Sequence, residues 1–214
     1  YQNLRKKFPA IEIMIGIGNI TELTHADTAG MNAILFGIAS ELDINYALCT
    51  QVSEHCNKAI IEGNFARRIM HTTKQYNMPP KDISNKLLSL HERKPFPYST
   101  EELKEMWGNV KDKNYRIYVN SEGIHVFNKK SFYTEKDATE MYQHLDVKND
   151  DGHAYYLGME LAKAQIAFQL GKRYDQDEML KWGCSVDVSD EDIMKFKTAG
   201  HTMRKSKIIK EDKR

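Results

Sequence analysis

The stretch Ile11–Gln51, IEIMIGIGNITELTHADTAGMNAILFGIASELDINYALCTQ, is the most informative part of the sequence about the fold. Residues Ile11–Ile17 form an apolar run interrupted only by Glu12 and Gly16, which is typical of a strand covered on both faces in a parallel sheet. A second short apolar run covers Tyr46–Cys49. An amphipathic segment separates the two runs, so the stretch predicts a β-loop-α-β unit, and the right-handed crossover rule makes its strands parallel.

The helix between the two predicted strands begins near Asp27 or Thr28, either of which would cap it. A second helix is expected to begin at Ser53 and to end before Met78-Pro79-Pro80. The resulting βαβα unit leaves strand edges and one sheet face uncovered. Further strands must therefore come from elsewhere in this chain, from a second copy or from a missing segment.

A different, α+β module is expected after the segment Lys94-Pro95-Phe96-Pro97. Ser99 or Thr100, followed by two glutamates, predicts the start of a helix. The sequence Asn120-Ser121-Glu122-Gly123 predicts the turn of a β-hairpin. Two further helices complete the prediction for this module: Thr134–Leu145, and Ala154–Leu170 closed by Gly171.

Composition limits the classes of function. Lys and Arg total 31 against 30 Asp and Glu, so net charge gives no reason to expect nucleic acid or an anionic membrane as a partner. No apolar run reaches the roughly 20 residues that span a bilayer, and no signal peptide opens the chain. Three widely spaced cysteines favour a reducing compartment. The expected location is the cytoplasm.

The 214 residues divide, on the sequence, into three parts. The βαβα unit occupies 1–93, the α+β module occupies 99–187, and a flexible charged tail occupies 203–214. The chain begins at Tyr1 without a methionine and runs almost directly into the first strand. This suggests a piece of a longer protein.

Parallel α/β folds build their ligand sites beyond the carboxyl ends of the strands. The residues that follow the two predicted strands are therefore the candidates for ligand binding: Asn19, Thr21, Glu22, Thr50 and Ser53. An asparagine at a strand end offers a donor and an acceptor on a rigid base, which suits the edge of a flat, amide-bearing heterocycle such as a pterin. Satisfying loop backbone groups is an equally weighted role for Asn19.

Most of the other candidates also have two interpretations. Thr50, Gln51 and Ser53 lie at a helix N-terminus, where hydroxyl and amide groups hold phosphate or carboxylate ligands, with helix capping as the alternative. Glu22 has acid–base capacity. For Asp27 a plain helix cap is the favoured role.

A metal centre is not predicted. Cys49, His55 and Cys56, with His25 nearby, are the residue types of a soft metal site. His55 and Cys56 are adjacent, however, and would point about 100° apart on a helix, which makes convergence on one ion difficult. No P-loop, nucleophile triad or CxxC motif is visible, and Gly16-Ile17-Gly18-Asn19 lacks the third glycine of a dinucleotide fingerprint.

The string GIGNITELTHADTAGMNAILFGIASELDINYALCTQVSEH, residues 16–55, resembles the carboxyl-terminal strands and helices of pterin-binding barrels. That family contains dihydropteroate synthases and methyltetrahydrofolate-dependent corrinoid methyltransferases. The chain is most similar to archaeal dihydropteroate synthase-like proteins, many of them from methanogens, which carry an extra carboxyl-terminal region. The string HAYYLGMELAKAQIAFQLGKRYDQDEMLKWG, residues 153–183, resembles part of that region.

The resemblance implies that Ile11–Asn19 is strand seven and Tyr46–Thr50 strand eight of a (β/α)8 barrel whose first six strands are absent. The implied ligand is a pterin of folate or methanopterin type, and the implied parent is a pterin-dependent transferase. Asn19 matches the asparagine that contacts the pterin in the methyltransferase branch. Synthases have a lysine at the end of strand seven and Arg-x-His after strand eight, where this chain has Asn19 and Cys49-Thr50-Gln51.

These departures argue against ordinary synthase chemistry. The leading hypothesis is a carboxyl-terminal piece of a pterin-binding protein of one-carbon metabolism, inactive alone and completed by the missing strands or by a second copy. The alternative hypothesis gives the second half of the chain a non-catalytic role, as an interaction or oligomerisation module appended to such a barrel.

Overall fold

A computed structural model of the chain describes residues 1–148 and 150–186. The predicted flexible tail, 203–214, lies outside these residues. Helices and small sheets alternate along the described chain, which confirms the α/β fold class. The chain divides into two compact units: Tyr1–Ser89 with the described residues of Trp182–Asp187, and Leu90–Lys181.

The first unit contains four helices, two strands and a 3₁₀ turn. In chain order they are α1 (Gln2–Lys7), β1 (Met14–Gly16), α2 (Gly18–Leu23), α3 (Thr28–Glu41), β2 (Tyr46–Leu48), the 3₁₀ turn (Glu54–Cys56) and α4 (Ala59–Tyr76).

The described residues of the second unit form three helices and three strands. In chain order they are α5 (Thr100–Gly108), β3 (Arg116–Asn120), β4 (Gly123–Asn128), β5 (Ser131–Glu135), α6 (Ala138–Gln143) and α7 (Asp151–Leu170).

The first unit is the predicted βαβα arrangement. β1 and β2 pair in parallel. α3 and α4 also run parallel, because they are joined near both ends: Asn32 Nδ2 donates to the Ala59 carbonyl at 3.1 Å, and Ser40 Oγ donates to the Met70 carbonyl at 3.3 Å. One face of the sheet packs on these helices, and the buried core consists of Ile15, Ile17, Phe36, Ala39 and Ala66.

The other face of this two-stranded sheet is uncovered. Met14 and Tyr46 are partners in register, and their side chains are 61% and 54% exposed. Leu48, which pairs with Gly16, is also 54% exposed. Because side chains alternate between the two faces of a strand, these residues form one apolar surface opposite the core. The expectation that the unit leaves a sheet face open is confirmed.

The second unit is an antiparallel sheet in the order β3-β4-β5, and it contains the predicted hairpin. Gly123 has φ of +153°, and a Cβ at this position would lie 2.5 Å from the Glu135 carbonyl oxygen, so the turn requires glycine. α5 packs on one face, where Trp107 Nε1 donates to the Asn128 carbonyl at 2.8 Å. α7 packs against β3 and β4 and buries Leu157 and Leu161 completely or nearly so.

Helix boundaries in the second unit follow local sequence signals in two cases. The Ser99 hydroxyl accepts from the Glu102 amide at 3.2 Å, and the Glu102 carboxylate accepts from the Ser99 amide at 2.7 Å, which completes the predicted capping box. α7 ends at Gly171 in the left-handed conformation, as predicted, but begins three residues before the predicted start.

Three predictions of local structure are wrong. Thr134 and Glu135 belong to β5 and not to a helix, so the predicted helix Thr134–Leu145 is reduced to α6. The helix expected from Ser53 is divided, since a 3₁₀ turn precedes α4. The first part of the segment Ile20–Asp27, expected as a loop, belongs to α2, which extends to Leu23.

Candidate functional site

The candidate site lies where the loops that follow β1 and β2 pack on each other. Gly18 packs directly against Thr50: a Cβ on residue 18 would lie 2.2 Å from Thr50 Oγ1 and 3.1 Å from both Thr50 Cβ and Cγ2. A real Cβ does not approach other heavy atoms this closely. Only glycine at position 18 therefore lets the two loops meet in this way.

Glu22 joins the first loop to the second. Its carboxylate accepts from the amides of Val52, at 2.8 Å, and Ser53, at 2.9 Å. The Ser53 hydroxyl together with these two amides lowers the pKa of Glu22 from 4.5 to about 2. Glu22 is therefore ionised at neutral pH, which argues against a proton-carrying role, and it occupies amide groups that an anionic ligand would otherwise use.

Thr21 is buried and its groups are used within the protein. Its hydroxyl donates to the Gly18 carbonyl at 3.3 Å. Its carbonyl accepts from His55 Nε2 and from Cys56 Sγ, each at 3.1 Å. The adjacent His55 and Cys56 thus converge on one oxygen atom, contrary to the expected divergence. Thr21 anchors the two loops and presents no side-chain group to a ligand.

Asn19 differs from its neighbours because its side chain is exposed and makes no hydrogen bond to the described residues. Its Nδ2 atom lies 3.1 Å from the position that a Cβ on Gly16 would take. The amide is therefore folded back over the end of β1. Its donor and acceptor groups are both available to a ligand.

Thr50 and Ser53 lie beside these groups. Thr50 Oγ1 is buried without a hydrogen bond of normal length, although it is near enough to the Glu22 carboxylate to contribute slightly to its low pKa. Ser53 is half-buried. The structure thus brings Thr21, Glu22, Thr50 and Ser53 together in the joined loops, with Asn19 at the sheet end.

The remaining candidates from the sequence are Asp27, the cysteines, and the histidines His25 and His55. Asp27 precedes α3 at the N-cap position, but its side chain accepts no capping hydrogen bond, so the favoured capping role is wrong. Cys49, Cys56 and Cys184 are free thiols. The rings of His25 and His55 meet edge to face, 5.6 Å between centroids. In residues 1–148 and 150–186, no cluster of His, Cys, Asp and Glu is arranged to hold a metal ion.

In the second unit the buried polar groups bind one another. His125 is fully buried, with Nδ1 2.9 Å from Thr134 Oγ1 and Nε2 2.7 Å from Asn120 Oδ1. Asn120 Oδ1 is only an acceptor, so Nε2 carries the proton, and burial lowers the pKa of the ring. Tyr174 donates to Glu160 at 2.6 Å. These contacts stabilise the fold.

Comparison with known proteins gives one match to part of the chain and one to most of it. Residues 108–177 match the model of a family described as PterinBD-DUF4346. Over 195 residues, 80% of this chain, the sequence is 29% identical to an uncharacterized protein of Methanocaldococcus jannaschii. These matches support a pterin-binding-like family. They do not reach dihydropteroate synthase specifically, and no solved structure matches the chain.

Two features of these matches concern the site. The family match extends from the end of α5 through α7, within the second unit, whereas the sequence predicts the pterin contacts in the first. The aligned part of the archaeal relative is 37% of that protein, so the chain spans little more than a third of its length.

Among the described residues, no helix has the length and apolar character needed to cross a membrane.

Sequence reasoning missed the residues that shape the site. A side chain at position 16 would displace Asn19, and a side chain at position 18 would displace Thr50, so Gly16 and Gly18 both shape the site. Their spacing on either side of Ile17 was the available signal, because glycines at a strand end often mark close backbone approach. The joining role of Glu22 had no local signal, since its partners lie 30 and 31 residues away.

Proposed function

We propose that the first unit is the carboxyl-terminal end of a (β/α)8 pterin-binding barrel. The intact protein would be a cytoplasmic, pterin-dependent transferase-like protein of folate or methanopterin one-carbon metabolism. Asn19 would bind the edge of the pterin ring, and Thr50 and Ser53 would line the mouth near a second substrate. Thr21 and Glu22 would hold the two loops in place around them. This piece alone would be inactive.

The observation that carries the proposal is the state of the Asn19 amide. It is exposed, it makes no hydrogen bond to the described residues, and it is folded over Gly16 at the carboxyl end of β1. A pterin presents adjacent donor and acceptor groups along one edge, and a carboxamide can pair with both at once. The contacts of Glu22 with the second loop hold the backbone that carries Asn19, and this supports binding, because a residue fixed in place loses less freedom when the ligand arrives.

The uncovered sheet face supports the barrel. Two parallel strands with helices on one side are a stable arrangement only when more strands and side chains cover the other side. Met14, Tyr46 and Leu48 would then point toward the barrel interior. The greater length of the archaeal relative is consistent with additional strands in an intact protein.

The proposal is tested by calorimetric titration of the intact protein with a hydroxymethylpterin and with tetrahydrofolate. Asn19→Ala would leave a paired edge of the pterin without partners, which costs about 1–3 kcal/mol. The expected dissociation constant is therefore roughly 5- to 150-fold higher than that of the unsubstituted protein. Asn19→Asp would weaken binding as well, because a carboxylate lacks the donor.

Asn64→Ala is the matched control. This substitution removes the same carboxamide group, but from α4, where the Asn64 amide oxygen accepts from Arg67 three residues along the same helix. Its substitution should leave pterin affinity unchanged. Equal affinity of the Asn19→Ala protein and the Asn64→Ala protein would show that Asn19 does not contact the pterin.

A further inference from the structure

The outer face of α7 carries an apolar surface that the described chain leaves uncovered. Six large hydrophobic side chains of the described second unit are exposed, and five of them lie on α7 or on segments bound to its two sides. We call these five residues the α7 patch: Tyr142, Tyr155, Met159, Ile166 and Met179. Exposed apolar residues concentrated in this way mark an interaction surface.

The patch residues lie on three segments that pack side by side. Tyr155, Met159 and Ile166 recur at helical spacing along α7 itself. α6, which carries Tyr142, is bound to α7 on one side, where the Ala138 amide donates to Gln165 Oε1 at 2.7 Å. The segment with Met179 is bound on the other side, where Lys163 Nζ donates to the Glu178 carbonyl at 2.9 Å.

The exposed face of α7 between Tyr155 and Gln169 carries no charged residue. The exposed residues of that span are Tyr155, Gly158, Met159, Ala162, Ile166 and Gln169. The charged residues of the same span, Glu160 and Lys163, are turned away from this face and pair with each other at 2.5 Å. A solvated helix face normally carries charged side chains, so this one has the character of a covered face.

Gly158 points to close approach by another helix. Glycine inside a helix is destabilising relative to alanine, so it needs a reason. Its φ is not in the left-handed region, and a Cβ added there would meet no atom within 4 Å, so nothing in the described chain requires glycine. Ala162 follows one turn later on the same face. A second helix that packs closely on α7 at Gly158 and Ala162 would explain why glycine occurs at position 158.

We propose that the α7 patch binds the α7 patch of a second copy of this chain, with the two helices antiparallel. Antiparallel pairing centred between Gly158 and Ala162 places Tyr155 of one copy opposite Ile166 of the other. Gly158 of each copy then lies opposite Ala162 of the other near the centre, beside Met159, and Tyr155 meets Ile166 at both ends, so the surface is self-complementary, as a twofold interface requires. No like charges oppose each other anywhere along the face.

The size of the patch fits a weak dimer. A fully buried aromatic side chain removes about 150–250 Å² from water, so a half-exposed one contributes on the order of 100 Å². Five such residues give about 500 Å² per copy and about 1,000 Å² per dimer, the lower limit for a specific interface. Dimerisation in the micromolar range is expected.

Sedimentation velocity of the full chain between about 1 and 100 µM tests the proposal. The unsubstituted chain should sediment as a concentration-dependent dimer. Tyr155→Lys and Ile166→Glu, each at an exposed position, should each raise the dimer dissociation constant at least tenfold. An equimolar mixture should dimerise again, because antiparallel pairing sets the introduced lysine opposite the introduced glutamate. A monomeric unsubstituted chain, or no recovery in the mixture, would overturn the proposal.

Two further variants separate the alternatives. Gly158→Leu has open space in its own chain and should stay folded by circular dichroism, yet it should weaken the dimer. Leu48→Lys places a charge on the uncovered sheet face of the first unit and should leave the dimer intact. If Leu48→Lys abolished dimerisation and Tyr155→Lys did not, the interface would be that sheet face. Either result is independent of pterin binding, so the two proposals fail separately.

Discussion

Replacing Gly18 by alanine should disturb the packing on which the candidate site rests. The new Cβ would lie 2.2 Å from Thr50 Oγ1 and 3.1 Å from Thr50 Cβ and Cγ2, so the two loops must move apart or Thr50 must rotate. Such overpacking costs about 1–3 kcal/mol. Alanine recovers up to about 1 kcal/mol of helix propensity in α2. The expected net loss is about 1–2 kcal/mol in the free energy of unfolding of the first unit.

Urea unfolding followed by the fluorescence of Trp182 measures this loss. The chain has two tryptophans, and Trp182 belongs to the first unit, so a Trp107→Phe background makes the signal specific to that unit. A loss of this size lowers the urea midpoint by roughly 1 M. Gly30→Ala is the matched control, because a Cβ at this exposed position of α3 meets nothing within 4 Å. That variant should be as stable as the unsubstituted chain or slightly more so.

A double-mutant cycle identifies the cause. Thr50→Gly removes the three atoms nearest to the new Cβ, so Gly18→Ala should cost much less in that background. The coupling between the two substitutions should be about 1–3 kcal/mol. If Gly18→Ala cost as much in the Thr50→Gly background as in the unsubstituted chain, the close packing of the two loops would be refuted.

Two further predictions concern pH. Because the pKa of Glu22 is about 2 in the folded protein against its ordinary 4.5, its contribution to stability is complete above 4.5 and is lost as pH falls toward 2. Glu22→Gln should destabilise the first unit at pH 7 and flatten that dependence in acid titrations of Trp182 fluorescence, whereas Glu54→Gln should do neither. Because burial holds the pKa of His125 below its ordinary 6.5, the unfolded chain takes up a proton that the folded chain does not as pH falls below about 6.5. The second unit should therefore lose stability below that pH when followed by Trp107 fluorescence in a Trp182→Phe background, and a His125→Gln variant that kept the same slope would contradict this origin.

Local signals in the sequence predict much of the fold. The capping box at Ser99 and the hairpin closed by Gly123 depend on residues close together in the chain. The parallel pairing of β1 with β2 joins more distant residues, but it follows from the general crossover rule once the two strands and the helix between them are recognised. β5 has a comparable signal, since Lys129-Lys130 forms a two-residue turn between alternating runs, but the helical interpretation of Thr134–Leu145 obscured it. The 3₁₀ turn before α4 contains Cys56, whose thiol donates to the Thr21 carbonyl, and no local sequence pattern indicates that contact.

The candidate site was less predictable for the same physical reason. The sequence identifies Asn19 because a strand end fixes its place. It does not show that Glu22 binds the amides of Val52 and Ser53, or that Thr21 is buried, because both facts arise when segments about 30 residues apart are packed together. Residue type alone does not distinguish, among the five candidates, those that join the loops from those that could bind a ligand.

A crystal structure of the intact protein with bound pterin tests the central claim most directly. The proposed function predicts Asn19 Oδ1 and Nδ2 about 2.7–3.2 Å from acceptor and donor atoms on one edge of the ring. It also predicts that additional strands cover Met14, Tyr46 and Leu48. A pterin bound away from Asn19, or a sheet face still open in the intact protein, would contradict it.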